Sequence, residues 1–365
     1  MNNTIRVGIT QGDINSISYE VIIKALAAEG ITELCTPVIF GSGKILAYYR
    51  KNLGIENFNV NQIYDPSQAR HGVVNLVNIT EEEYKIEPGK CTPQRGIAAL
   101  ESLRAATEAL RAGEIDVLVT APINKEAIQS DEFRFPGHTE YLEKEIGAEG
   151  EKALMVLFND MMRVALVTTH LPLKEVASAI TKDKVADKIR EFNAVLKRDF
   201  GIDGPKIAVL SLNPHCGDGG LLGTEETECI SPAVEETFSE GILAFGPYAA
   251  DGFFGGCKEI MFDGILAMYH DQGLIPLKAS SSDNGVNFTG GLQYVRTSPD
   301  HGTAFDIAGK GKASGASMRE AIFQAIDIFK TRARYDRSVR NPLRKQYVER
   351  GADKTVDLSA EPEEP

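Results

Sequence analysis

Three of the six histidines, His170, His215 and His270, stand directly after short apolar runs that read as buried strands. In open parallel sheets, ligands bind outside the carboxyl ends of the strands. Imidazoles delivered to that edge could converge although 45 and 55 residues separate them. Imidazole ligates zinc and other divalent ions, and three ligands with an open position describe a catalytic metal site. The alternative is that each histidine bonds only its local backbone. Asp271 follows His270 and could accept a hydrogen bond from a ligand imidazole or a substrate hydroxyl, or cap the next helix. Cys216, next to His215, reads as a small buried residue. Lys278, Asn287 and Arg296 could together clamp a phosphate or carboxylate, or serve as solvated surface groups.

Phosphate-loop signals are weak. No GxxxxGK[ST] motif occurs. Gly41-Ser42-Gly43-Lys44 joins a strand to a helix but lacks the third glycine of a dinucleotide loop. The glycine-dense segment Gly217–Gly223 could bring backbone close to a ligand or act as a flexible connection.

The elements that must position these groups alternate. Apolar runs at Thr4–Thr10, Pro37–Phe40, Val117–Thr120, Val164–Thr168, Ile207–Leu212 and Ile265–Tyr269 each end in a loop. Such runs suit strands buried on both faces. Helical stripes lie between and after them. One is Ile97, Leu100, Leu103, Ala106 and Leu110; another is Val185, Ile189, Phe192, Val195 and Leu196; a third is Ala321, Ile322, Ala325, Ile326 and Phe329. The alternation predicts an α/β fold with a mostly parallel sheet covered by helices. Leu292–Arg296 reads as a further strand-like run.

The chain has 365 residues, which suits two domains at roughly 100–200 residues each. Its net charge of −13 disfavours nucleic acid and anionic membrane as partners. No apolar run approaches the roughly 18 residues of a membrane span, and no secretory signal is visible. Five cysteines without a CxxC pattern point to a reducing cytoplasm.

The motifs combine into a recognisable pattern. In order they are Gly137-His138-Thr139-Glu140, Thr168-Thr169-His170-Leu171-Pro172, Asn213-Pro214-His215 with Gly223-Thr224-Glu225-Glu226, and Met268-Tyr269-His270-Asp271-Gln272-Gly273-Leu274. Gly285-Val286-Asn287 and Arg296-Thr297-Ser298-Pro299-Asp300-His301-Gly302-Thr303-Ala304 follow. Together they resemble the 4-hydroxythreonine-4-phosphate dehydrogenase family, from about Thr4 to Tyr335. The resemblance implies an isocitrate/isopropylmalate dehydrogenase-like fold, with two α/β/α domains and an active site in the cleft between them. The expected boundaries are 1–125 with 285–340 for the first domain, which includes a cofactor-binding segment at 300–312, 126–284 for the second, and 341–365 as a C-terminal extension.

The same resemblance implies the chemistry. One divalent ion (Zn, Mg or Co) would sit on His170, His215 and His270. Substrate would contact His138, Thr139, Lys278, Asn287 and Arg296. NAD, or NADP in its place, would use His301, Gly302 and Thr303. The general base would be Asp251, Asp271 or His138. The family is homodimeric and builds its active site from both subunits. Its reaction oxidises the C3 hydroxyl of 4-phosphooxy-L-threonine. The product, 2-amino-3-oxo-4-phosphooxybutanoate, loses CO2 to give 3-amino-2-oxopropyl phosphate for pyridoxal 5'-phosphate biosynthesis.

Ser16 and Ser18 depart from the family pattern, which has glycines in this first loop. If φ is positive there, or a hydroxyl faces the cleft, both serines would obstruct a ligand. Three other readings compete. One is a 4-phospho-threonate or 4-phospho-erythronate dehydrogenase. The second is a metal-dependent aldolase or hydrolase, and the third a catalytically silent metabolite-binding protein.

Overall fold

The computed structural model describes residues 4–342 except 81, 83, 91, 131–132 and 281–282. The tail 343–365, and with it most of the expected extension 341–365, lies outside the described residues, as does Cys91. Twelve strands form one mixed sheet among the described residues. In chain order they are β1 (Arg6–Thr10), β2 (Thr36–Gly41), β3 (Val60–Ile63), β4 (Val74–Asn78), β5 (Val117–Thr120) and β6 (Leu154–Phe158). Then come β7 (Arg163–Leu166), β8 (Lys206–Leu210), β9 (Leu243–Tyr248), β10 (Gly264–Ala267), β11 (Val286–Gly290) and β12 (Arg296–Pro299). Their order across the sheet is β3-β4-β2-β1-β5-β12-β11-β6-β7-β10-β8-β9. Only the central pairings β12 with β11, β11 with β6 and β6 with β7 are antiparallel.

All six apolar runs become strands. The run at Leu292–Arg296 does not: Leu292 and Val295 are buried, but the strand begins at Arg296. β12 runs parallel beside β5, while β11 lies against β6. The chain therefore returns to its N-terminal half between these two strands.

Alternation along the strands divides the apolar residues between two faces. Val7, Ile9, Val117, Val119, Val156, Phe158, Ile207, Val209, Val286 and Phe288 share one continuous core. Helices Ser18–Leu26, Lys182–Arg198 and Ala316–Val339 cover it. The opposite face is split. Val38, Phe40 and Leu118 pack with helices Pro93–Arg111 and His138–Ile146 in one cluster. Met155, Leu157, Val164, Leu166 and Ile265 pack with helix His270–Ser280 in another. Ile97, placed on a helical stripe by its spacing, is 54% exposed and stays outside the core. The gap between the two clusters lies over the centre of the sheet, where β5, β12 and β11 carry polar residues.

Candidate functional site

That gap is the site. Asn287 and Thr289 alternate with the core residues Val286 and Phe288, so they face away from the continuous core. Register places Arg296 opposite Thr289 and Ser298 opposite Asn287. The resulting polar floor sits under a cavity of about 220 Å³. Its walls include Thr120, Lys125, His138, Thr139, Glu140, His170 and His301.

Arg296 is 3% exposed. Its Nε and Nη2 donate to Thr120 Oγ1 at 3.0 and 2.5 Å, and its Nη1 donates to Thr289 Oγ1 at 3.2 Å. Among the described residues no carboxylate forms an ion pair with it. Burial pushes its pKa down to about 9, and the nearby Glu140 carboxylate offsets this only in part. A buried guanidinium held by hydroxyls alone is a charge awaiting an anion. Four buried polar atoms around the same cavity make no hydrogen bond among the described residues: His138 Nε2, Glu140 Oε2, Asn287 Oδ1 and His301 Nε2. Unpaired buried polar atoms are costly, and a cluster of them marks a place a polar ligand completes. Burial, then the charges of Arg296 and Lys125, hold the His138 pKa well below the usual histidine value, so its imidazole is neutral at pH 7.

The three expected metal histidines follow β7, β8 and β10, which are adjacent in the order β7-β10-β8. The His170 and His270 rings lie 6.1 Å apart, centroid to centroid. Asp271 holds His270 Nδ1 at 2.7 Å. His215 is exposed, on a left-handed stretch with φ of 52° at His215 and 55° at Cys216. Among the described residues no three His, Cys, Asp or Glu side chains are close enough to hold one ion. The expected convergence thus stops at two rings, because the left-handed turn after β8 leaves the third in solvent. The donor chemistry still fits a divalent ion: two imidazoles near bridging distance, one oriented by a carboxylate, with the third a strand away.

Other expectations separate. His138, Thr139, Asn287 and Arg296 line one cavity as expected. Lys278 does not join them. Its Nζ donates to Asp300 O at 3.0 Å and Oδ2 at 3.2 Å, beside a second cavity of about 340 Å³ that shares Asp300 and His301 with the first. Asp251 is exposed at the start of helix Ala250–Gly255 and lines neither cavity, while Asp271 is engaged by His270. Of the three expected bases only His138 lines the cavity. His301 and Gly302 line it too, whereas Thr303 uses its carbonyl to accept from Ile17 N at 3.2 Å. The sequence alone assigns no role to Thr120, Lys125 or Glu140, and gives Asp300 one only as the start of the expected cofactor-binding segment. Glu140 is legible only as a member of its motif, and Thr120 only as the last residue of a strand.

The serines of the first loop do not behave as expected. Neither has positive φ, and both are fully buried. Ser16 Oγ donates to Asp13 O at 2.7 Å and lies 2.8 Å from Ser18 Oγ, which also donates to Pro122 O at 3.0 Å. The residue that needs glycine is Gly12, with φ +64° and room for no Cβ, which would lie 2.5 Å from Pro122 O. The hydroxyls therefore tie the loop together rather than obstruct a ligand. Ser16→Gly with Ser18→Gly is expected to lower stability by about 1–3 kcal/mol, seen as a lower Tm, without raising kcat/KM.

A family model described as "Pyridoxal phosphate biosynthetic protein PdxA" matches residues 33–325. A 4-hydroxythreonine-4-phosphate dehydrogenase of Bacteroides thetaiotaomicron is 55% identical over 352 residues, covering 96% of each chain. A relative of Symbiobacterium thermophilum, provisionally named a D-threonate 4-phosphate dehydrogenase, is 38% identical over 319 residues, 87% of this chain and 94% of its own. The crystal structure of 4-hydroxythreonine-4-phosphate dehydrogenase from Klebsiella pneumoniae superposes with a TM-score of 0.77 at 34% identity, covering 90% of this chain and 99% of that one. With the family model spanning most of the chain and a relative this similar along nearly all of it, the chain belongs to the PdxA family of pyridoxal phosphate biosynthetic proteins.

Proposed function

We propose that this chain oxidises the C3 hydroxyl of 4-phosphooxy-L-threonine with NAD, or NADP in its place. The observation that carries the reading is the buried Arg296 on the floor of a cavity lined by unsatisfied polar atoms. It suits a small substrate bearing an anionic group. When bound, a divalent ion (Zn, Mg or Co) on His170, His215 and His270 would supply charge that acidifies the hydroxyl, and the nicotinamide would accept the hydride. Arg296 binds a phosphate or carboxylate oxygen through its remaining N–H groups. Asn287 and Thr139 orient the substrate from the floor and wall. His138, neutral and with Nε2 free, takes the hydroxyl proton as hydride leaves C3. The β-keto acid product then loses CO2. His301 stands where the two cavities meet, with Gly302 beside it in the first, and both would face the cofactor.

The assay is NADH formation from 4-phosphooxy-L-threonine, with and without a chelator. Turnover that the chelator abolishes and added ion restores supports the reading; no turnover with either nucleotide refutes it. The acid limb of kcat/KM is expected below the ordinary histidine value of about 6.5, since the His138 pKa is depressed and the base is lost only once it is protonated. His138→Gln should abolish that limb along with most of the rate. A second reading, oxidation of 4-phospho-threonate, is favoured by the name of the Symbiobacterium relative. Comparing kcat/KM for the two substrates decides between them.

We further propose a homodimer that shares its active site. Leu171, Leu173, Leu221, Leu222 and Ile275 are exposed apolar residues that closely follow the three histidines in the chain. Apolar surface of that kind is expected at an interface. Sedimentation should give a dimer; a fully active monomer would remove this proposal. The lobes 1–125 with 285–340 and 126–284 would close on the central cavity, a division supported by the β12–β5 pairing, which returns the late segment to the first half of the chain. A cytoplasmic location is supported by Cys35, Cys216, Cys229 and Cys257, which are free thiols.

A further inference from the structure

We infer that Lys125 is a cationic placeholder for the metal at His170, and that loading the ion releases it into the substrate cavity. The inference rests on the metal-dependent reading above. Lys125 Nζ lies 3.3 Å from His170 Nε2. On the other side of the ring, His170 Nδ1 faces Glu140 Oε1 at 3.7 Å. A carboxylate on that side favours the tautomer with hydrogen on Nδ1, which leaves the Nε2 lone pair facing Lys125. An imidazole oriented in this way ligates metal through Nε2.

One lone pair cannot serve two cations. Loading the ion expels Nζ by competition and by like-charge repulsion. The expelled group has a destination. Lys125 lines the same cavity as Arg296, His138 and Asn287. Its stem passes over Gly137, with Cε 3.9 Å from where a Cβ on that residue would stand. In the cavity Lys125 becomes a second positive charge beside Arg296. It fills the part expected of Lys278, which Asp300 holds elsewhere. Metal loading and anion binding are thereby coupled through one side chain.

The test uses full-length protein stripped by chelation and titrated calorimetrically with Co2+ alone. Wild type, Lys125→Met and Lys125→Arg are compared. Lys125→Met is expected to bind Co2+ about tenfold more tightly or better, because a charge-assisted hydrogen bond no longer competes. A merely structural role would weaken binding instead. Lys125→Arg keeps the cation and should stay near wild type. Sulfate is then titrated with and without Co2+. Wild type should gain sulfate affinity on loading, and Lys125→Met should lose most of that gain. Unchanged or weaker Co2+ binding in Lys125→Met overturns the inference, as does Lys125→Arg behaving like Lys125→Met. If wild type still binds Co2+ and oxidises substrate in either case, the proposed function stands. Wild type that binds no Co2+ overturns both.

Discussion

Replacing Arg296 by Met is expected to cut kcat/KM by a factor of roughly thirty to several thousand, while leaving the protein as stable as before or more so. The loss follows from removing a buried charged partner of a ligand anion, worth about 2–5 kcal/mol. The stability side runs the other way. Arg296 is buried among hydroxyls, with Thr120 and Thr289 as its side-chain partners, and burial has pushed its pKa down to about 9. Its charge is therefore a cost in the empty protein, offset only when an anion arrives. Methionine has a similar reach and no charge to desolvate. The two threonines lose a donor but keep hydroxyls able to donate elsewhere. Steady-state kinetics and calorimetry check both halves. Sulfate, which should raise the Tm of wild type, should no longer raise that of Arg296→Met. A variant that unfolds would show that Arg296 holds the sheet together rather than the ligand.

The same residue shows where sequence reading works and where it stops. Strands and the histidines after them were legible because β-branched runs and strand-end position are local patterns. The gap in the sheet's second face was not. It depends on β12 lying beside β5 and β11, a pairing between residues about 180 apart such as Arg296 and Leu118. Alternation in Val286-Asn287-Phe288-Thr289 announces two faces, but not which neighbours Asn287 and Thr289 will meet. His215 failed for a different reason. The left-handed run through His215, Cys216, Gly217, Asp218 and Gly219 uses residue types that tolerate it, but those types do not say how far the turn carries His215 from His170 and His270. Ser16 and Ser18 were rightly singled out as unusual, yet their role depends on the Pro122 carbonyl, distant in sequence. Lys125 is not legible in the sequence, because a lysine in a loop carries no local signal and its contact with His170 exists only in three dimensions.

A second buried arginine, Arg332, is expected to behave in the opposite way to Arg296. Its Nε donates to Asp199 Oδ1, with the two side chains 6% and 2% exposed. Its Nη1 donates to Gln293 O at 3.0 Å, and its guanidinium lies 5.8 Å from the Phe288 ring centroid. It thus joins the long helix Ala316–Val339 to the end of helix Lys182–Arg198 and to the turn between β11 and β12. Arg332→Met would leave Asp199 buried without its ion-pair partner. Breaking one side of such a pair costs about 3–5 kcal/mol. At about 1–2 °C per kcal/mol for a chain of this length, Tm should fall by roughly five degrees. Arg332 does not line the catalytic cavity, so kcat/KM of the folded variant should stay within about twofold of wild type. The pH dependence has a definite sign. Burial raises the Asp199 pKa against the pull of Arg332, and without Arg332 it rises further. A carboxyl with a raised folded pKa is stabilising below its unfolded value, near 4, and loses that contribution as pH rises through the folded value. The Tm deficit of Arg332→Met should therefore be smaller at pH 4 than at pH 7. Adding Asp199→Leu removes the stranded charge, and the double variant should recover most of the lost stability, because a well-packed apolar pair often replaces a buried ion pair without cost. Failure of the double variant to recover would mean that the Gln293 and Phe288 contacts, rather than the ion pair, hold the helix. Recovery would separate the two arginines cleanly, one retained for the fold and the other for its ligand.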